Sequence, residues 1–128
     1  MSGGGGVRIL LVEDEASVRD AVARILANYG HEVVAAADGP EGLLYFKRGG
    51  FDIVMTDLGL PGPSGWEVAK AVREISPDTP VVLLSGWDVS PGDKDLKESG
   101  VARVLAKPVS VKDMLMVITE LVSGGSEG

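Results

Sequence analysis

Residues 51–65 read FDIVMTDLGLPGPSG. A β-branched apolar run ends on a single carboxylate, Asp57, and the chain then breaks into glycine and proline. Phe51–Thr56, apolar or β-branched at every position but Asp52 and bounded by turn formers, predicts a strand buried on both faces. An acid at the rim of such a strand is either a cap for the next element or a working group. The neighbouring segments decide which.

Working outward, the same pattern recurs. Val7–Val12 (VRILLV) predicts a central parallel strand, Glu32–Ala37 a second, Phe51–Thr56 the third, Val81–Leu84 the fourth and Val101–Leu105 the fifth. Between them lie helical periods. Ala16–Tyr29 carries Val18, Val22, Ile25, Leu26 and Tyr29 on one face, with Gly30 as a stop. Pro40–Lys47 follows a capping Asp38, and Gly65–Ile75 repeats the period through Val68, Ala69 and Val72. Ser90-Pro91-Gly92-Asp93 predicts the start of a short helix running to about Ser99. Val111–Val122 predicts a last helix with Met114, Leu115, Ile118, Leu121 and Val122 toward the core. Met116 on that helix, and Trp66 at the start of its own, read as packing residues. Strand and helix alternating five times predict an α/β, doubly wound parallel sheet of five strands and five helices.

Composition narrows the functional classes. With 128 residues the chain has the length of one domain, and a 45% hydrophobic content excludes a disordered one. Twelve Lys+Arg against nineteen Asp+Glu give a net charge of −7, which argues against direct nucleic-acid binding. No apolar run approaches the roughly 18 residues of a membrane span. Zero cysteines exclude disulfides and thiolate metal sites, and together these features predict a cytoplasmic protein. The glycine-rich residues 1–6 and the stretch 123–128 read as linkers or cloning remnants flanking a domain over 7–122. The glycine tract precedes the first strand, so it is no phosphate-cradling loop.

In an open parallel sheet, ligands sit beyond the carboxyl ends of the strands. Here the first strand is followed by Glu13-Asp14, the third by Asp57, the fourth by Ser85 and the fifth by Lys107-Pro108. Each has an ordinary explanation alone: Glu13 and Asp14 as helix caps, Asp57 as a loop cap, Ser85 as a strand-end hydroxyl, Lys107 as a solvated charge. Their joint occurrence at successive strand ends is what points to a site. Three crowded acids repel one another unless a cation intervenes, and an all-oxygen cluster suits Mg²⁺. Asp57 then reads as a nucleophile, with Lys107 and Ser85 placed to hold the oxygens of a phosphoryl group on it. His31 falls at the opposite edge of the sheet and reads as structural.

The segments LLVEDE (10–15), DLGLPGPSG (57–65), LLSG (83–86) and LAKP (105–108) together resemble the receiver domain of bacterial two-component response regulators. The resemblance spans about Val7 to Val122. It implies a flavodoxin-like fold with strand order 2-1-3-4-5 and a cis Lys107–Pro108 bond. It implies that Asp57 accepts a phosphoryl group from a sensor histidine kinase or a histidine phosphotransfer protein, and that partners dock near the first helix. It further implies that Asp14 and Asp57 bind Mg²⁺ directly, Glu13 through water and Gly59 through its carbonyl, while Lys107 pairs with the phosphoryl group and Ser85 moves to hydrogen-bond it. Such a chain is a signalling phosphoacceptor that assists its own phosphorylation and dephosphorylation, acting on a downstream effector or output domain. Three departures stand out. Val104 occupies the position three before the lysine where an aromatic residue is usual, Gly86 replaces the usual alanine, and Gly59 carries no side chain. Trp87 is the candidate substitute for the missing aromatic. The alternatives are a degenerate receiver that works by protein contacts alone, and a flavodoxin, against which the acidic loop after the first strand argues.

Overall fold

The computed structural model describes residues 6–86, 89 and 92–127, with side chains through residue 122. Five strands alternate with five helices: β1 (Arg8–Val12), α1 (Ala16–Asn28), β2 (Glu32–Ala36), α2 (Gly39–Lys47), β3 (Ile53–Asp57), α3 (Gly65–Ile75), β4 (Val81–Ser85), α4 (Lys94–Ser99), β5 (Arg103–Ala106) and α5 (Val111–Glu127). All four strand pairings are parallel, in the order β2-β1-β3-β4-β5. Among the described residues no helix is long and apolar enough to cross a membrane.

Successive side chains of a strand point to opposite faces, and each face of this sheet carries a layer of helices. Ile9 and Leu11 of β1, Ile53 and Met55 of β3, and Val82 and Leu84 of β4 pack with Leu26 of α1 and with Met114, Val117 and Ile118 of α5. Leu10 and Val12, Val54, and Val81 face the other way, onto Phe46 of α2 and Val68, Ala69 and Val72 of α3. Two apolar layers explain why β1 reads as a continuous hydrophobic run rather than an alternating one.

Helix ends follow their chemistry. The Asp38 carboxylate accepts the Glu41 N–H at 2.9 Å, as its capping role requires. Ser64 and Glu67 form a reciprocal capping box at the start of α3. Gly30, with φ +92°, turns the chain after α1. At the opposite edge, His31 Nδ1 accepts the Val7 N–H at 3.2 Å, consistent with a structural histidine.

Several elements differ from the sequence expectation. Tyr29 was expected on the core face of α1, but it is the C-cap and is 59% exposed, because the helix ends before its ring can turn inward. On α5 Met116 is 49% exposed, whereas Val117 is buried. At about 100° per residue Met116 lies nearly opposite Met114, and the core face is 114, 117, 118 and 121. α5 continues to Glu127, five residues beyond its expected end at Val122. α4 begins at Lys94, with Asp93 as its cap: the Asp93 carboxylate accepts from Asp95 N–H and Leu96 N–H. The expected cap Ser90 and Pro91 lie outside the described residues. Phe51 precedes β3 and stacks on Phe46, with ring centroids 6.1 Å apart, beneath the Arg8 guanidinium. β5 starts at Arg103, two residues later than expected.

Candidate functional site

The parallel register determines which side chains meet. Val12 pairs with Thr56, and Asp57 with Leu84, so Glu13 and Asp57 follow one another across the same rim of the sheet. Ser85 pairs with Ala106, one step further along, and Lys107 comes next on β5. Asp57 and Ser85 are the last residues of their strands rather than loop residues, and both are buried. Their backbones are therefore fixed by the ladder: the Leu58 N–H still donates to the Leu84 carbonyl at 2.9 Å, and the Lys107 N–H to the Ser85 carbonyl at 2.8 Å.

Carboxylate oxygens of Glu13, Asp14 and Asp57 lie within 4.8 Å of one another. Lys107 reaches back from β5 to join them. Its Nζ stands 3.0 Å from Asp57 Oδ1 and 3.1 Å from Glu13 Oε1. Glu13 is 1% exposed, and its second oxygen, Oε2, accepts the Glu15 N–H at 3.0 Å. Burial alone pulls the Lys107 pKa down, but the hydrogen bonds to Asp57 and Glu13 and their negative fields outweigh it. The net pKa lies above the usual 10.5, so the ammonium stays charged. The Lys107–Pro108 peptide bond is cis.

The donor set suits a hard divalent cation. All three groups are carboxylates, and together they carry more negative charge than one lysine neutralises. Two oxygens that both bind Mg²⁺ at about 2.1 Å stand at most about 4.2 Å apart. A trio spread over up to 4.8 Å thus closes on one ion with a small adjustment, or with one ligand bridged by water. Glu13, both of whose oxygens already accept hydrogen bonds, is the member suited to the bridged position.

Of the expected site residues, the structure brings Glu13, Asp14, Asp57 and Lys107 together, with Ser85 at the adjoining strand end. Gly59 lies in the loop directly after β3 and is exposed. Val104, in the position of the missing aromatic, is half-buried on β5 and pairs with Leu83. Trp87, its proposed substitute, lies outside the described residues.

The sequence reading gave two contributors no role of their own. Gly65 donates its N–H to the Leu58 carbonyl at 2.9 Å, folding the Asp57 loop back on itself. A Cβ there would stand 2.5 Å from the Asp57 carbonyl oxygen and 2.8 Å from Leu58 Cα. The motif registers a glycine at this place; the reason is close packing beneath Asp57. Arg19, on α1, donates through one guanidinium nitrogen to the Glu13 carbonyl at 2.8 Å and to the Asp14 carbonyl at 3.4 Å. In the sequence it is indistinguishable from a solvated helix charge.

A family model described as the response regulator receiver domain matches residues 9–119. The chain belongs to the response regulator receiver domain family. It is 38% identical over 120 residues to the sensory transduction protein RegX3 of Mycolicibacterium smegmatis, covering 93% of this chain and 52% of that one. The chain thus spans about half the length of the curated relatives it matches. Among solved structures it is similar to the response regulator TrrA of Thermotoga maritima, solved in complex with Mg²⁺-BeF, at a TM-score of 0.82 and 29% identity, covering 90% of this chain and 98% of that one. It is also similar to the receiver domain of the Saccharomyces cerevisiae response regulator Ssk1, solved together with the histidine phosphotransfer protein Ypd1. That match has a TM-score of 0.83 and 25% identity and covers 92% of this chain and 90% of the other. The flavodoxin-like architecture and the receiver assignment of the sequence reading both stand.

Proposed function

We propose that this receiver accepts a phosphoryl group on Asp57 from the phosphohistidine of a sensor histidine kinase or a histidine phosphotransfer protein. The observation that carries the reading is the meeting of Lys107 with Asp57 and Glu13 beside the three-carboxylate cluster. Asp14, Asp57 and the Gly59 carbonyl would hold Mg²⁺, with Glu13 acting through water. The bound ion supplies the positive charge that lets an anionic phosphoryl group approach three carboxylates.

In the transfer, an Asp57 carboxylate oxygen forms a bond to phosphorus as the P–N bond to the donor imidazole breaks. The bonding pair leaves with the imidazole nitrogen, so the donor returns as histidine. Lys107 stays protonated throughout and trades part of its contact with Asp57 for the incoming phosphoryl oxygens. The Ser85 hydroxyl, at the adjoining strand end, donates to another of them. Hydrolysis of the acyl phosphate returns Asp57 and inorganic phosphate.

An apolar groove of about 420 Å³ between α1 and α5 supports docking of the donor. It is lined by Val18, Val22, Ile25, Val109 and Met114 and runs up to Lys107, beside the acceptor. Phosphorylation would then act on a downstream effector or an output domain. The similar Ssk1 receiver was solved with a histidine phosphotransfer protein, and TrrA in complex with Mg²⁺-BeF, which supports both the partner class and the cofactor.

A phosphorylation-independent adaptor is the competing reading, favoured only by Val104 in place of the aromatic. Acetyl phosphate with Mg²⁺ separates the two. We expect one phosphoryl group by intact mass in the wild type and none in Asp57→Asn. No gain in either protein would favour the adaptor, and an equal gain in both would count against Asp57 as the acceptor.

A further inference from the structure

The three carboxylates of the proposed Mg²⁺ site are not held equally. Glu13 is fixed at both oxygens, by Lys107 Nζ and by the Glu15 N–H, and Asp57 is tied at one oxygen to Lys107. Among the described residues, no hydrogen bond or ion pair reaches the carboxylate of Asp14, which is exposed. Its position is therefore set by its backbone. That backbone lies in the turn between β1 and α1, where the helix cap, Glu15, makes no side-chain capping bond.

The turn is held by the Glu13 N–H on the Ala36 carbonyl and the Glu15 N–H on Glu13 Oε2, each at 3.0 Å, and by Arg19. Its N–H donates to Glu15 O at 2.8 Å, the first bond of the helix, and its guanidinium reaches back to the carbonyls of Glu13 and Asp14. Side chain and main chain of one residue thus grip all three residues of the turn. These two carbonyls belong to the peptide plane that leads into Asp14 and to the plane that leads out of it. Rotation of either plane would swing the Asp14 carboxylate away from Asp57.

Resting on the Mg²⁺ reading above, we propose that Arg19 is a positioning residue that straps the Glu13–Asp14 turn and thereby preorganises Asp14 as a metal ligand. A strap and a simple charge make opposite predictions. Arg19 is a cation beside a cation site, so on Coulomb's law alone its removal would tighten Mg²⁺ binding. If it positions Asp14, its removal weakens binding, by about 10-fold for lost support behind a ligand. Lysine keeps the charge but carries it on a flexible stem without the fixed planar geometry of the guanidinium, so it holds the two carbonyls less firmly.

The test is Mg²⁺ titration by calorimetry, with no phosphodonor, of the wild type, Arg19→Ala, Arg19→Lys and the same-helix control Arg24→Ala. Melting curves in EDTA and phosphorylation at saturating Mg²⁺ accompany it. We expect Kd to rise about 10-fold in R19A, with R19K between it and the wild type and R24A unchanged. Melting in EDTA should change little, and saturating Mg²⁺ should restore phosphorylation to within about 2-fold of the wild type. Unchanged or tighter binding by R19A overturns the strap, as does an equal loss in R24A or a phosphorylation defect that saturating Mg²⁺ leaves in place. If the wild type itself binds no Mg²⁺, the metal-site reading fails instead.

Discussion

Lys107 Nζ stands 3.0 Å from Asp57 Oδ1, and the same ammonium lies 3.1 Å from the buried Glu13. The pairing joins residues fifty positions apart, because parallel strands β3, β4 and β5 end on one rim. It gives the Asp57 carboxylate a fixed cation, and in the proposed transfer that cation stands where the phosphoryl oxygens would arrive.

Lys107→Met removes the cation and leaves Glu13 and Asp57 facing each other. In EDTA the variant should be less stable by about 1–3 kcal/mol, below the cost of breaking a fully buried pair because the Lys107 side chain is 27% exposed. Mg²⁺ should recover most of the loss by binding the folded state. Phosphorylation from acetyl phosphate should slow on the order of 100-fold, as for loss of one oxyanion donor. Urea unfolding with and without Mg²⁺ checks the first part; stability equal to that of the wild type in EDTA would refute it.

Gly65 supports Asp57 from beneath. A methyl group there meets the Asp57 carbonyl oxygen at 2.5 Å and Leu58 Cα at 2.8 Å, and both are backbone atoms that cannot rotate aside. Gly65→Ala should cost about 1–3 kcal/mol by urea unfolding and slow phosphorylation of the protein that remains folded. A neutral substitution would show that the loop has slack.

His31 makes a pH prediction. Burial disfavours its charged form and lowers its pKa below 6.5, and its Nδ1 must be unprotonated to accept the Val7 N–H. Between the folded pKa and 6.5 the unfolded chain binds more protons, so stability rises with pH across that window. The His31 contribution is fully present above pH 6.5 and drains away as the pH falls through the folded value. His31→Asn keeps an acceptor and cannot titrate. Its Tm should fall less than the wild type's from pH 7.5 to 5; identical slopes would contradict the assignment.

The rim residues were legible in the sequence because their signal is periodic. Each apolar strand announces its own end, and the ends of a parallel sheet share one edge. That logic reached Glu13, Asp14, Asp57, Ser85 and Lys107 without coordinates. Arg19 stayed invisible because its partners are carbonyls, which every residue has. Gly65 could be seen as part of a motif but not explained, since the atoms it must avoid belong to the backbone of Asp57 and Leu58. Tyr29 and Met116 were misplaced for a different reason: an apolar side chain at a helix end or on the rear of an amphipathic helix fits a hydrophobic count while facing water.

The chemistry of the acceptor is the most direct test of all. Borohydride reduces an acyl phosphate to the alcohol, turning a phosphorylated aspartate into homoserine. After treatment with acetyl phosphate and Mg²⁺, peptide mapping should find homoserine at position 57 and nowhere else. Homoserine at position 14, or none at all in protein shown to be folded, would contradict the assignment of Asp57 as the phosphoacceptor.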